Sequence, residues 1–346
     1  MKGALVLEDG AVFAGEVFGA GNPQAKEVVC VAGVTWRDVI TSPSYAGQIV
    51  VCVDAHSSPA GPDSGDCYPS GVLLNGVPPA VAREVAETWA IAGLCGVDTK
   101  ALAGHLQRTG PLAGTLVAGV QLPSASGRSP KPGCPGRYTT AKPQEVSTDR
   151  PYRIYGGGAR VVVYDFGLDP AMLAWLVGRD CQTTVVPWDY PAEDVLEMSP
   201  DAVVLSGGPG NPAQCDGLVN AFQPLLGQLP VLGVGLGHQL LARSQGGRTG
   251  QMWCGHRGNG VLVREVDTGV VAATRQSHGY SVLGYPTGAR ATHVAVADGS
   301  IEGLEYPELR AWSVQFIPTA GEAGSGFAER LWARVLTAAQ TRSLSA

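Results

Sequence analysis

Residues 229–241 constrain the fold more than any other segment, because they predict a buried strand, a sharp turn and a helix in immediate succession. Gly233, Gly235 and Gly237 have the spacing of a nucleophile elbow, whose central residue lies in a strained turn between strand and helix. A Ser or Cys there is exposed at the helix N-terminus, where the macrodipole stabilises a thiolate or oxyanion. Here the central residue is glycine, which adopts such a backbone without steric cost. The sequence therefore predicts the framework of a catalytic elbow without its reacting atom.

The C-terminal half alternates short apolar runs with helical patterns. We predict strands at 160–165, 183–187, 202–206 and 230–234, and helices at 169–178 and 192–198. This alternation is typical of a doubly wound parallel sheet, which binds ligands at the carboxyl ends of its strands. The elbow lies at such an end.

The N-terminal part has a different pattern. Short β-type runs are punctuated by Gly and Pro, with one helix predicted over 80–92 and another capped by Asp98. Residues 121–158 are rich in Pro, Gly and Ser, which is typical of a surface linker. The predicted fold is α/β, with a mixed β-rich domain at 1–120, the linker at 121–158 and a doubly wound domain at 159–346.

Composition argues against several kinds of partner. The chain has 346 residues, 45% hydrophobic and 16% charged, as expected for two globular domains. The net charge of −6 argues against nucleic acid or an anionic membrane surface. Because the first residues lack the apolar stretch of a signal peptide and no run is long enough to span a bilayer, we expect a cytoplasmic protein.

The eight cysteines are scattered along the chain without C-x-x-C spacing. This usage is typical of buried thiols in a reducing compartment, not of a disulfide framework or a zinc site. We therefore expect neither a metal nor a cofactor.

Several motifs, in the right order along nearly the whole chain, resemble the small, glutamine-hydrolysing subunit of carbamoyl-phosphate synthetase. The N-terminal motifs are L-V-L-E-D-G at 5–10, T-S-P-S-Y-A-G-Q-I-V at 41–50 and G-V-D-T-K-A-L at 96–102. The C-terminal motifs are V-Y-D-F-G at 163–167, L-S-G-G-P-G-N-P at 205–212, G-H-Q-L-L-A at 237–242 and Q-S-H-G-Y at 276–280. The resemblance implies a class I glutamine amidotransferase-like domain in the C-terminal half.

The resemblance also implies where the catalytic residues of the family belong. The family uses a Cys nucleophile at the elbow and a His and a Glu in a late V-Q-x-H-P-E segment. Here these positions hold Gly235, Ile317 and Thr319. Attack of a thiolate on an amide requires the thiol, its base and a group that orients the base. We therefore expect no glutamine hydrolysis by the family route.

The implied ligand site is less altered. The family binds glutamine through positions that here are Ser44, Gly208, Gly210, Leu236, Gln239, Ser277, Gly279 and Tyr280. Two of the last three, in the family's N-H-G-F loop, are substituted. Backbone N–H groups of Leu236 and Gly208 still suit an oxyanion hole, because such a hole needs no side chain.

Three functional hypotheses remain open from the sequence. The first is a pseudo-glutaminase that supports a synthetase-like large subunit. The second is a repurposed enzyme that uses the former glutamine pocket for a cyclisation, elimination or transfer in a specialised biosynthetic pathway, with His238 and His278 as candidate acid–base groups. For both histidines, hydrogen bonds that orient loops are the alternative role. The third is an amino-acid-sensing module without chemistry.

Overall fold

The computed structural model of the protein describes residues 1–21, 23–54, 66–119, 141–318 and 325–343. The chain divides into two compact units, Met1–Ala141 with Trp253–Gly258, and Lys142–Met252 with Asn259–Ala346. Residues 121–140 of the predicted linker lie outside the described residues. Residues 142–158 of that segment belong to the second unit and include the strand Tyr152–Ile154.

The first unit is β-rich, as the sequence predicts. Its elements are β1 (Lys2–Leu7), β2 (Val12–Phe18), β3 (Lys26–Val31), α1 (Trp36–Ile40), β4 (Ile49–Cys52), β5 (Gly71–Leu74), α2 (Pro79–Trp89), β6 (Gly93–Cys95), α3 (Thr99–Thr109) and β7 (Leu112–Ala118). The strands close into a barrel in the order β1-β2-β6-β5-β4-β3-β7. Asp98 caps α3 as predicted, because its side chain accepts the N–H of Ala101 at 2.9 Å.

Two apolar layers hold this barrel together. Leu5, Val28 and Val51 belong to one buried cluster, whereas Val29 and Val50 belong to a second that includes residues of α1 and α2. Neighbouring residues of one strand therefore bury opposite faces, which is the two-residue period of a strand.

The second unit contains the alternation predicted for the C-terminal half. Its elements are β8 (Tyr152–Ile154), β9 (Arg160–Tyr164), α4 (Pro170–Val177), β10 (Gln182–Val186), α5 (Ala192–Glu197), β11 (Ala202–Leu205), α6 (Asp216–Phe222), β12 (Val231–Val234), α7 (Leu236–Ser244), β13 (Arg248–Glu265), β14 (Val271–Leu283), β15 (Arg290–Ala295), β16 (Ile301–Tyr306), β17 (Ala311–Val314) and α8 (Ser325–Ser343). One sheet has the order β14-β13-β15-β16-β17-β12-β11-β9-β10-β8.

The centre of this sheet is parallel and covered on both faces. Strands β10, β9, β11, β12 and β17 pair in parallel. Within β9, Val162 and Tyr164 pack in a core with residues of α5, α6 and α7, whereas Val161 and Val163 pack in another with residues of α4 and α8. The doubly wound fold predicted from the sequence is confirmed.

Beyond the parallel centre, the structure differs from the sequence-based expectation. Residues 277–280, which the family resemblance places in a loop, lie inside the long strand β14. Strands β15 and β16 pair antiparallel with each other and extend the sheet on that side. Among the helices that the structure describes, none has both the length and the apolarity needed to cross a membrane.

Candidate functional site

The elbow predicted from the glycine spacing is present at the carboxyl end of β12. Gly235 has φ +55° and ψ −111°, a backbone conformation that residues with a side chain rarely adopt. Its N–H donates to the carbonyl of Val314 at 2.9 Å, so the turn is joined to the end of β17. Helix α7 begins at the next residue, Leu236.

The turn leaves room for a side chain at position 235. An added Cβ on Gly235 would lie 3.3 Å from the Cα of Gly207 and 3.9 Å from the carbonyl oxygen of Gln315. Both distances are compatible with contact after a small adjustment of Gly207. Space for a Cβ is therefore present, but a side chain at this positive φ would strain the backbone.

Gly208 lies beside the first residue of α7. An added Cβ on Gly208 would lie 1.9 Å from the carbonyl oxygen of Phe166 and 3.3 Å from a methyl carbon of Leu236. Strands β11 and β12 are parallel neighbours, so the turn after β11, with Gly208 and Gly210, and the elbow after β12 meet at the same sheet edge. This arrangement brings together the two backbone positions proposed for an oxyanion hole.

Ile317, which the family resemblance places at the position of the catalytic His, has no titratable side chain. Ile317 follows β17, is partly buried and packs against the apolar cluster that includes residues of α4 and α8. Its N–H donates to the carbonyl of Arg275 at 2.9 Å. Thr319, at the family's Glu position, lies outside the described residues.

Gln239 is committed to contacts within the protein. Its side-chain amide donates to the carbonyl of Tyr280 at 2.8 Å and to Oε1 of Gln315 at 2.9 Å. Only 3% of Gln239 is exposed. Because both amide protons are used, a ligand in contact with Gln239 would meet its Oε1, which is a hydrogen-bond acceptor. Sequence reasoning missed Gln315, although it lies in the same late segment as Ile317.

The candidate residues at 277–280 alternate along β14. His278 is buried, whereas its neighbours Ser277, Gly279 and Tyr280 are partly exposed. The imidazole Nδ1 lies 2.8 Å from the carbonyl of Tyr280, and Nε2 lies 2.5 Å from Oε1 of Gln276. Gln276 in turn donates to the fully buried carboxylate of Glu302 at 2.9 Å. These contacts fix the carbonyl that Gln239 also binds.

Ser44 lies in the first unit. It is the central residue of a short 3-10 turn, Pro43–Tyr45, and is partly buried.

Comparisons with known proteins agree with this architecture. The family description "Carbamoyl-phosphate synthase small chain, CPSase domain" matches residues 5–116, and "Glutamine amidotransferase class-I" matches residues 162–323. The pyrimidine-specific small chain of carbamoyl phosphate synthase from Halalkalibacterium halodurans is 36% identical over 341 residues, which cover 92% of each chain. The small chain from Clostridium perfringens is 36% identical over 337 residues, covering 92% of this chain and 95% of that one.

The chain belongs to the carbamoyl phosphate synthase small chain family. The region that matches the class I amidotransferase description contains the elbow, the turn after β11 and the candidate residues of β14. Gly235, the residue at the centre of the elbow, therefore lies inside the matched part of this family member.

His238, the other histidine considered for acid–base chemistry, faces the protein interior. It has no exposed surface, and its Nδ1 lies 2.8 Å from the hydroxyl of Ser313 on β17. Burial lowers the pKa of His238 to about 3, because the charged imidazolium loses its hydration. A neutral, enclosed imidazole of this kind links α7 to the sheet and is poorly placed to exchange protons with a ligand.

We expect Gly208→Ala to lower the free energy of unfolding by more than about 2 kcal/mol, because the new methyl group collides with the Phe166 carbonyl. The matched control is Gly217→Ala, since no atom lies within 4 Å of an added Cβ at this position in α6. The control is expected to be neutral or to stabilise by about 0.5–1 kcal/mol. Chemical denaturation measures the free energy of unfolding of both variants. Equal losses of stability in the two variants would contradict the close approach of Gly208 to the Phe166 carbonyl.

Acid is expected to destabilise the protein through His238. The unfolded chain protonates this side chain near its ordinary pKa of 6.5, whereas the folded chain does so only near 3, so stability falls as pH decreases between these values. From about pH 7 to about pH 5 the loss is about 2 kcal/mol. His238→Asn keeps a polar group but does not titrate. Urea unfolding should therefore show that the free energy of unfolding depends less steeply on pH in the variant than in the unmodified protein. Equal slopes would refute the burial of a neutral His238.

Proposed function

We propose that this family member is a pseudo-glutaminase: it does not hydrolyse glutamine by the cysteine route and supports a synthetase-like large subunit. The observation that carries the proposal is Gly235. The elbow has the strained backbone conformation and space for a Cβ, but the residue at its centre has no side chain.

The residue at the base position supports the same conclusion. Amide hydrolysis through a thiolate requires a group that removes the thiol proton and then gives it to the amide nitrogen, which leaves as ammonia when the C–N bond breaks. Ile317 has no titratable atom and packs in an apolar cluster. In a serine protease, loss of the nucleophile alone decreases the rate by roughly 10⁶-fold. With neither nucleophile nor base in place, hydrolysis by this route falls to the background rate.

Binding of a small ligand remains compatible with the second unit. Gly208 and Leu236 lie side by side, and backbone N–H groups bind a carbonyl or carboxylate oxygen without help from a side chain. Gln239 is held in place by Tyr280 and Gln315. We propose that the former glutamine pocket holds a small polar or amino-acid-like molecule without breaking its amide bond.

The repurposed-enzyme hypothesis is less well supported by the positions of its candidate acid–base groups. His238 is enclosed and neutral, with a pKa lowered to about 3 by burial. Both ring nitrogens of His278 have hydrogen-bond partners within the sheet. We therefore place support of a partner ahead of new chemistry, and ligand sensing without a partner after both.

The partner proposal predicts a stable complex with a synthetase-like large chain. The test is co-expression with each candidate large chain from the same organism, followed by size-exclusion chromatography. We expect one pair to co-elute, and we expect the ammonia-dependent synthetase activity of this pair to exceed that of the large chain alone. An unrelated acidic protein is the control for non-specific association. If this chain elutes separately from every candidate large chain, even at high protein concentration, the proposal is wrong.

Gly235→Cys alone is expected to leave glutamine hydrolysis at background, because the new thiol has no base at position 317. The rate of glutamate release from glutamine is measured for the variant, for the unmodified protein and for an active glutaminase in parallel. A rate in the single variant that clearly exceeds background would show that another group acts as the base.

A further inference from the structure

Polar side chains form a strip on one face of the second unit's sheet, near its β8 edge. Strand register places Thr184 between Arg153 on β8 and Val162 on β9. Two residues earlier on β10, Gln182 is the partner of Arg160. Because cross-strand partners share a face, both arginines, Gln182 and Thr184 lie on the same side of the sheet.

These residues line an open cleft. Val162 contributes to its apolar lining, and Met198 and Pro200, which follow α5, complete it. The empty space, including the open mouth, is about 260 Å³. The cleft is open to solvent, so a ligand can reach the side chains that line it.

The charges in the cleft are only partly balanced. Arg153 is exposed, and its Nε donates to the hydroxyl of Thr184 at 3.3 Å, which leaves the terminal nitrogens of the guanidinium without an ionic partner among the described residues. Arg160 has a long contact of 3.4 Å with Asp201. The other oxygen of Asp201 is held by the backbone N–H of Arg160 at 2.7 Å, so this carboxylate is fixed whereas the half-exposed guanidinium can turn.

The geometry points to a phosphate-binding site for a small anionic metabolite in this cleft. Two guanidinium groups from different strands, the amide of Gln182 and the hydroxyl hydrogen of Thr184 supply more donors than a carboxylate accepts. A phosphoryl group offers three or four strongly accepting oxygens and suits such a set.

The cleft is separate from the elbow. Arg160 and Gln182 are the first residues of β9 and β10, and Pro200 precedes β11, so the cleft lies at the amino ends of the parallel strands. Gly235 follows the carboxyl end of β12. A ligand in the cleft therefore does not touch the groups around Gly235, and this inference does not depend on the function proposed for the elbow.

Isothermal titration of the full chain with inorganic phosphate at low ionic strength tests the site, because salt screens exposed charges. We expect saturable binding that weakens about tenfold in Arg153→Gln and in Arg160→Gln. Arg83→Gln, at an exposed arginine of the first unit, is the matched control and should bind like the unmodified protein. The substituted side chains are exposed, so circular dichroism should show unchanged melting.

Two further titrations distinguish the ligand chemistry. Methyl phosphate should bind at least as well as inorganic phosphate, whereas acetate should bind more weakly. Any one of three results would overturn the inference. These results are a lack of saturable phosphate binding, equal phosphate affinity of the two cleft variants and the unmodified protein, and acetate binding as tight as phosphate binding.

Discussion

Direct backbone contact between the end of β11 and the start of α7 is the constraint on which the second unit's site depends. The N–H of Gly237 donates to the carbonyl of Ser206 at 3.0 Å, and an added Cβ on Gly237 would lie 2.2 Å from the Leu205 carbonyl oxygen. Because the helix starts so close to the neighbouring strand, the chain must turn sharply at Gly235. The side chain of Leu236 also lies close to Gly208, so the elbow and the adjacent turn are neighbours at this edge of the sheet.

Buried polar contacts then hold this edge of the sheet without using any reacting atom. Gln239 joins α7 to Gln315 and to the carbonyl of Tyr280, and His278 binds the same carbonyl from within β14. Buried polar groups are costly to leave unpaired, so each member of this network restricts the others. None of these contacts involves Gly235 or Ile317. The backbone around the elbow is therefore held in place although the residue at its centre is a glycine.

Local sequence patterns predicted those parts of the fold that depend on a single property of the residues, such as apolarity or a short hydrogen-bond acceptor. Buried parallel strands favour continuous apolar runs, which made β9, β11 and β12 visible in the sequence, and the cap at Asp98 follows from its short acceptor side chain. The antiparallel extension was not visible. In strand β14, buried polar residues alternate with partly exposed ones, so the apolar alternation typical of a strand is missing. Gln276 and His278 are polar residues that are typical of loops, and only the tertiary structure places the Glu302 carboxylate of β16 beside them.

The sequence by itself determined which side chains are present: the spacing of the elbow glycines, the glycine at position 235 and the apolar residue at 317. It also determined family membership, because these motifs occur in order along the chain. Only the tertiary structure decided how those side chains are used. His238 follows the elbow by three residues, yet it is neutral and enclosed because the helix turns it towards Ser313. Arg153 and Arg160 share a cleft because strand register, a long-range property, places both on one face.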